Sequence, residues 1–119
     1  MNPQELKERT KRFALRVIQL LEALPKCQAG NVISGQLLRS ATSVGANYRA
    51  ACRARSRADF ISKMGIVEEE ADETIYWLEL LVESGLIKRE AIENLIKEAN
   101  ELTAIFTAAC KSAKAKKRD

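Results

Sequence analysis

The chain has 119 residues, of which 46% are hydrophobic and 30% are charged, and its formal net charge is +4. These values are typical of one soluble globular domain with a mildly basic surface, which permits an acidic partner such as RNA or DNA. The sequence contains no histidine, which excludes Ser-His and Cys-His nucleophiles, His-containing zinc sites and the Glu-x-x-His ligands of di-iron bundles.

No apolar run approaches the roughly 18 residues of a membrane span, and the first residues, MNPQELKERTKRF, lack the apolar core of a signal peptide. The three cysteines, Cys27, Cys52 and Cys110, show no C-x-x-C spacing. We interpret them as reduced thiols. The sequence therefore predicts a cytoplasmic protein without membrane contact.

The first predicted helix begins at Asn2, which can cap it, with Pro3 at the first helical position and Glu5 in the first turn. Apolar residues then recur at intervals of three, four or seven: Leu6, Phe13, Val17, Leu20 and Leu24. The helix should end near Ala23, because Pro25 disfavours a helical residue before it. We predict a loop over residues 26–31.

The second predicted helix presents one continuous face to a core. Its members are Ile33, Leu37, Ser40, Val44, Asn47 and Ala51. Gly35 and Gly45 lie within this helix, each at a cost of about 1 kcal/mol relative to alanine. We expect the glycines to let a neighbouring helix approach closely.

The third predicted helix begins at Ser56 or Asp59 and ends at Gly85, a residue suited to the left-handed position after a helix. Its core face is Phe60, Met64, Val67, Ala71, Thr74, Leu78 and Leu81. A turn at residues 86–88 leads to the fourth helix, whose core face is Ile92, Leu95, Ala99, Leu102, Phe106 and Ala109. That helix is expected to fray into a basic tail.

Four helices of about 20–27 residues joined by short loops have to alternate in direction. The predicted fold is therefore all-α, an antiparallel up-down-up-down four-helix bundle. It comprises residues 1–110 as a single domain, followed by a tail at residues 111–119.

Several apolar residues fall outside the predicted core faces. A bundle core takes about three residues per heptad from each helix, and a surplus on several helices indicates a subunit contact. The predicted oligomer interface comprises Leu15, Ile18, Tyr76, Trp77, Ile96 and Ile105.

Charge is segregated along the chain. Residues 39–63 contain six bases and one acid, residues 68–83 seven acids and no base, and residues 111–118 five bases and no acid. If the second helix continues past Ala54, four arginines fall on one stripe of it, within an arc of about 80°: Arg39, Arg49, Arg53 and Arg57. Such a stripe resembles a phosphate-binding surface. The candidate nucleic-acid-binding residues are Arg39, Arg49, Arg53, Arg55, Arg57, Lys111, Lys114, Lys116, Lys117 and Arg118.

Two alternatives to this interpretation stay open. The arginines could pair with the acids of the third helix and form an ordinary salt-bridged surface. The tail could serve only to keep the protein soluble.

Polar residues also interrupt the predicted core. The sequence predicts a buried polar network of Ser40, Ser43, Asn47, Lys63 and Glu70, in which the last two interact. Such a layer can fix helix register at some cost in stability, and ligand binding is the alternative role. The acidic run EEEADE at residues 68–73 has no histidine and no facing carboxylate helix, so we expect no metal and no cofactor.

The stretch QLLRSATSVGANYRAACRARSRADFISKMGIVEEEADETIYWLELL resembles the 23S rRNA intervening-sequence protein family, also called the four helix bundle protein family. The family pattern is similar to Q-L-x-R-S-x-x-S-[IV]-x-A-N, then S-x-x-[DE]-F, then E-x-x-E-x-x-x-W/L. The matching positions are Gln36, Leu37, Arg39, Ser40, Ser43, Val44, Ala46, Asn47, Arg53, Ser56, Asp59, Phe60, Lys63, Glu70, Glu73 and Trp77. The resemblance extends over residues 10–107, with Ala50 at a position where the family often has an acid.

This resemblance implies a bacterial, cytoplasmic four-helix bundle that associates into ring-shaped homopentamers. Some members are encoded inside intervening sequences of 23S rRNA genes. A related branch serves as the accessory protein of diversity-generating retroelements, where a basic ring engages nucleic acid and a reverse transcriptase. For most members the biochemical role is unknown.

The sequence therefore predicts a non-enzymatic, oligomeric protein that binds RNA or DNA through phosphate contacts. Tyr48 is the one aromatic residue near the arginines, so recognition should use the backbone or the shape of the nucleic acid. The alternative is a protein-interaction scaffold that docks a protein partner on its acidic third helix without touching nucleic acid. An enzyme using carboxylates alone is a third hypothesis.

Overall fold

Four helices form the fold of residues 1–115, the part of the chain that this computed structural model describes. They are α1 (Pro3–Glu22), α2 (Gln28–Ala51), α3 (Arg57–Glu83) and α4 (Arg89–Ala115). The connections 23–27, 52–56 and 84–88 are too short to return the chain along a molecule of 52 × 21 × 21 Å. Consecutive helices are therefore antiparallel, and the predicted up-down-up-down bundle is confirmed.

The four helices pack around a square. α1 contacts α2 and α4, and α3 contacts the same two helices, with the most extensive contact between α2 and α3. α1 and α3 thus lie diagonally opposite each other. One end of the bundle collects the start of α1, the end of α2, the start of α3 and the end of α4.

The starts of α1 and α3 have the side-chain caps that the sequence predicts. Asn2 Oδ1 accepts a hydrogen bond from the backbone N–H of Glu5 at 2.8 Å, and Ser56 Oγ accepts one from the N–H of Asp59 at 3.0 Å. Each bond satisfies an N–H group that lacks a helical partner, which stabilises the helix by about 1 kcal/mol. Of the two predicted starts of α3, Ser56 is the cap.

The start of α2 differs from the prediction. Cys27 Sγ accepts a hydrogen bond from the N–H of Gly30 at 3.3 Å, and the helix begins at Gln28. The predicted loop over residues 26–31 is therefore too long. Cysteine is not among the preferred capping residues, which is why the sequence pattern did not indicate this start.

The sequence leaves the end of α2 open, whereas the end of α4 differs from the prediction. α2 ends at Ala51, with Cys52 as its C-cap, so it does not continue past Ala54. α4 continues to Ala115, so residues 111–115 of the predicted tail are helical. The end of α2 matters for function, because it separates arginines that would share one face of a longer helix.

The connection from α3 to α4 turns at Gly85, which has the expected left-handed conformation with φ 82°. α4 is irregular near its start, where Ile92 has φ −127° and ψ 15°. The helix resumes beyond this residue and contributes its apolar face to the core.

The core consists of the apolar faces that the periodicity predicts. Its buried members include Leu6, Phe13, Val17, Ile33, Leu37, Val44, Ala51, Met64, Val67, Ala71, Leu78, Leu81, Ile92, Leu95, Ala99, Leu102 and Phe106. Four predicted core residues are only half-buried, namely Leu20, Leu24, Phe60 and Ala109, and the prediction did not include the buried Ala41 and Cys110. On α2, Asn47 is half-buried and Tyr48 is buried. The Tyr48 ring packs against Phe106, with 5.5 Å between the ring centroids.

The two glycines of α2 have different surroundings. A Cβ atom at Gly45 would lie 3.2 Å from Thr10 Oγ1 and 3.4 Å from Thr10 Cβ, whereas a Cβ at Gly35 would meet nothing within 4 Å. The expected close helix approach is therefore correct for Gly45, where α1 lies against α2, and wrong for Gly35.

Candidate nucleic-acid interface

Basic residues from all four helices meet at one end of the bundle. This basic end comprises Lys7, Lys11, Arg49, Arg53, Arg55, Arg57, Lys111 and Lys114. Acids lie there as well, among them Glu5, Glu8 and Asp59. The C-termini of α2 and α4 carry partial negative charge, which favours bases in their last turns.

A groove between α1 and α2 opens at this end, with a volume of about 450 Å³. Two rows of bases line it, Lys7 and Lys11 on α1 and Arg49 and Arg53 at the end of α2, and we call it the basic groove. Its other lining residues are Gln4, Glu8, Thr10, Ala14, Thr42, Gly45 and Ala46. The residues between the two basic rows are small, so a ligand can approach the helix backbones.

The cations of the basic groove are available for a ligand. Within residues 1–115, none of the four side chains forms an ion pair with a carboxylate. Glu8 also lines the groove, where Gln4 Nε2 lies 3.5 Å from its Oε1. The groove therefore has an excess of positive charge that the described part of the protein does not neutralise.

Arg39 does not belong to this surface. Its Nη1 lies 3.0 Å from Glu70 Oε2, and its Nη2 pairs with Glu73 Oε2, so it links α2 to α3. These hydrogen bonds raise the pKa of Arg39. The predicted arrangement of Arg39 on one stripe with the later arginines is wrong. For this residue, the salt-bridged alternative is correct.

Arg57 and Arg55 have other surroundings. Arg57 Nη2 donates to the carbonyl oxygen of Ala113 at 3.1 Å, which joins the start of α3 to the end of α4. The backbone N–H of Arg55 donates to Asp59 Oδ2 at 3.2 Å. Arg57 is thus partly occupied by a structural contact, and Arg55 lies in the connection between α2 and α3.

The predicted polar network is only partly present. Thr74 Oγ1 lies 3.1 Å from Ser40 Oγ, and both residues are buried between α2 and α3. The apolar spacing of α3 predicts Thr74 as a core-facing residue but does not indicate this hydrogen bond. A buried hydroxyl pair of this kind favours one register of the two helices.

The other members of the network have different partners from those predicted. Lys63 Nζ contacts Asp59 Oδ1 at 2.6 Å, one turn earlier on α3, and not Glu70. The Lys63 hydrogen bond is the main cause that lowers the pKa of Asp59. Asn47 Nδ2 donates to the carbonyl oxygen of Ser43 at 2.8 Å within its own helix. The expected Lys63–Glu70 interaction is therefore wrong.

Glu70 pairs with Arg39 through one oxygen only. Its Oε1 is buried and has no hydrogen-bond partner within residues 1–115. The two oxygens of this carboxylate thus have unequal surroundings.

The predicted tail divides into two parts. Lys111 and Lys114 lie on the last turns of α4 and are exposed at the basic end. Lys116, Lys117 and Arg118 lie outside the described residues.

Lys7 and Lys11 were not among the predicted nucleic-acid-binding residues. They lie four residues apart on α1, where an i, i+4 pair shares one helix face. The predicted antiparallel topology places the start of α1 beside the end of α2, and this could have associated them with Arg49.

The predicted interface residues fall into two groups. Leu15 and Ile18 on α1 and Tyr76 on α3 are exposed, at 53%, 38% and 53%. Three others, Trp77, Ile96 and Ile105, are half-buried and pack against the core of their own bundle. The prediction did not include Val32, Leu38 and Ile66, which are also exposed apolar residues.

Two further features concern metals and membranes. Residues 1–115 contain no group of three or more carboxylate or thiol side chains placed to hold a metal ion. No helix within the same residues combines the length and the hydropathy needed to cross a membrane.

Comparison with known proteins identifies the family. The family model described as 23S rRNA-intervening sequence protein matches residues 4–108, whereas no curated protein matches the sequence significantly. The chain is also similar to a crystal structure of a protein with unknown function from the S23 ribosomal protein family of Bacteroides thetaiotaomicron. The two share 41% identity over 93% of this chain and 99% of the other, with a TM-score of 0.84. This chain therefore belongs to the 23S rRNA-intervening sequence protein family.

Proposed function

We propose that this protein is a non-enzymatic, oligomeric nucleic-acid-binding protein that contacts phosphates through its basic groove. The observation that carries the proposal is the double row of bases in that groove, Lys7 and Lys11 facing Arg49 and Arg53, without carboxylate partners in residues 1–115. Lysine and arginine side chains that neutralise phosphates release bound counterions, which drives association. The groove supplies four such side chains from each chain.

The surroundings of the groove support phosphate contacts over base contacts. Tyr48 is 6% exposed and packs on Phe106, so its ring is not available to a base. Phosphate contacts position a nucleic acid but carry no sequence information. The proposed binding is therefore largely independent of sequence.

Oligomerisation is part of the proposal. The exposed apolar residues Leu15 and Ile18 lie on α1 and Tyr76 on α3, and these helices are diagonally opposite. Two different patches on opposite sides suit a head-to-tail contact better than a two-fold contact, and such a contact forms a ring when the rotation between subunits closes. The number five comes from the family resemblance. A ring would repeat the basic groove and raise the avidity for a long polyanion.

The proposed location is the cytoplasm. Cys27, Cys52 and Cys110 are all free thiols. Unpaired cysteines suit a reducing compartment.

The test is fluorescence anisotropy with a labelled duplex, titrated over a range of salt concentrations. We expect the logarithm of the binding constant to fall linearly with the logarithm of the salt concentration, by about 0.9 per phosphate neutralised. The variant Arg49→Glu with Arg53→Glu should abolish binding at physiological salt. Binding that does not depend on salt would contradict the proposal.

The matched control reverses two charges at the other end of the bundle. Lys26 and Lys88 are exposed residues in the first and third connections. The variant Lys26→Glu with Lys88→Glu makes the same change in net charge, and we expect it to retain most of the binding. Equal losses in both double variants would show that net charge alone governs binding, and would refute a role for the groove.

One observation favours the alternative of a protein-interaction scaffold. Of the seven acids in residues 68–83, only Glu70 and Glu73 pair with a base within residues 1–115, and Tyr76 is exposed among the others. The double variant Arg49→Glu, Arg53→Glu should still bind a protein partner that docks on this surface. Retained partner binding together with absent RNA and DNA binding in the wild-type protein would establish the scaffold.

A further inference from the structure

We infer that the basic groove takes one phosphate backbone of a double-stranded nucleic acid, whose bases stay paired and face away from the protein. The inference rests on the proposed function and adds the form of the nucleic acid. It stands on two observations, the two rows of cations in the groove and the positions of the aromatic rings.

The walls of the groove carry two rows of cations, one from α1 and one from the end of α2. Lys7 and Lys11 are one helical turn apart on α1, about 6 Å along its axis. Arg49 in the last turn of α2 and Arg53 just beyond it form the facing row. Both rows run along the helices, so a phosphate backbone lying parallel to α1 meets cations on both sides.

Small residues lie between the two rows of cations. The space there is lined by Thr10, Ala14, Gly45 and Ala46. Thr10 is buried, and its Oγ1 lies 3.0 Å from the carbonyl oxygens of Leu6 and Lys7, so its hydroxyl is bound within α1. These four residues are small enough to accommodate a phosphate backbone, and the polar residues Gln4, Glu8 and Thr42 complete the lining.

The groove contains no aromatic residue. Proteins that bind single strands stack bases on exposed rings, which contributes about 1–3 kcal/mol per base. Here the nearby rings of Tyr48 and Phe106 are buried against each other, and Tyr76 lies on α3, the helix diagonal to α1. Phe60 is half-buried and lines a separate cavity at the same end of the bundle, outside the groove. A single strand would have to expose its bases to water in this groove, whereas a duplex keeps its own stacking and presents its phosphates.

The experiment compares three probes with the full-length wild-type protein at one low salt concentration. They are a duplex DNA, a duplex RNA and a single-stranded oligothymidine that matches the duplexes in number of phosphates. We expect at least one duplex to bind roughly tenfold or more tightly than the single strand, the equivalent of about one stacked base. If only one duplex shows this preference, the inference holds and the partner class is that duplex.

The outcomes separate this inference from the proposed function. Single-strand binding equal to or tighter than binding of both duplexes overturns the inference and leaves the proposed function in place. If no probe binds, the proposed function fails and the inference fails with it.

A second variant tests whether the groove is the site of the preference. Ala46 is exposed and lines the groove, so Ala46→Trp places a ring between the basic rows. We expect weaker duplex binding and tighter single-strand binding. The control Ala104→Trp adds the same ring at an exposed position of α4 and should behave as the wild type. An unchanged preference in Ala46→Trp would overturn the assignment to the groove.

Discussion

The pairing of individual side chains decides which charges of this protein are free. Arg39 and Arg49 lie on the same helix, ten residues apart, but Arg39 contacts Glu70 and Glu73 whereas Arg49 lines the basic groove. From the sequence alone, every arginine between residues 39 and 57 could either pair with an acid of α3 or bind a ligand. The structure assigns a structural role to Arg39 and leaves the proposed ligand-binding role to Arg49 and its neighbours in the groove.

Glu73 links this pairing to a pH dependence of stability. Trp77 Nε1 donates to Glu73 Oε2 at 3.1 Å and Arg39 pairs with the same oxygen. These contacts, the tryptophan first, lower the pKa of Glu73 below its ordinary value of about 4.3. The unfolded chain then binds more protons near that pH, so the carboxylate stabilises the fold above its ordinary pKa. This contribution is lost as the pH falls through the lowered value.

We therefore expect Glu73→Gln to flatten the dependence of the free energy of unfolding on pH below about pH 4.3. Urea unfolding followed by circular dichroism at a series of acidic pH values measures the slope. Glu69→Gln removes a carboxylate at an exposed residue of the same helix and leaves the contacts of Glu73 with Trp77 and Arg39 in place, so it is the matched control. Identical slopes for Glu73→Gln and the wild type would refute the assigned cause.

At the scale of the helices, two glycines of α2 give a matched pair of substitutions. Gly35→Ala adds a methyl group where nothing lies within 4 Å, so helix propensity should stabilise the protein by about 0.5–1 kcal/mol. Gly45→Ala adds it 3.2 Å from Thr10 Oγ1. Thr10 is buried and its hydroxyl is hydrogen-bonded within α1, so α1 has to shift and the propensity gain is lost.

Urea unfolding at a fixed protein concentration compares the two variants. We expect Gly35→Ala to be more stable than the wild type and Gly45→Ala to be the less stable of the two by roughly 1 kcal/mol or more. Equal stabilisation by both would mean that α1 and α2 adjust freely.

The elements themselves were largely predictable, and the reasons for the exceptions are physical. Apolar spacing fixed the core faces of all four helices, because burial follows a periodicity of 3.6 residues. The start of α2 was missed because its cap is the thiol of Cys27. The sequence left the end of α2 open, because no proline or glycine marks it near Ala51.

The candidate site was less predictable than the helices. The basic groove combines Lys7 and Lys11 with Arg49 and Arg53, residues about forty positions apart in the sequence that only helix packing brings together. The sequence shows the arginines close together in the chain, but it does not show which surface each side chain faces. It also could not show that Tyr48 fills the core at the level where Asn47 was expected.

At the scale of the whole molecule, the positions of the exposed apolar residues predict the kind of assembly. Leu15 and Ile18 on α1 and Tyr76 on α3 lie on opposite helices, so in a head-to-tail contact the α1 patch of one chain meets the α3 patch of the next. The double variant Leu15→Glu, Ile18→Glu introduces charge into the α1 patch, and Tyr76→Glu introduces charge into the α3 patch. Light scattering at micromolar concentration should show a wild-type oligomer and a monomer for each variant.

Mixing the two variants distinguishes this contact from a two-fold one. Each variant keeps one intact patch, so the α3 patch of the first can bind the α1 patch of the second, and a mixture should form heterodimers that grow no further. A two-fold contact between α1 patches would leave the mixture without a heterodimer, because only one partner has an intact patch. A mixture that stays monomeric, or a wild-type protein that is monomeric, would contradict the head-to-tail ring and remove the avidity that it gives to the basic groove.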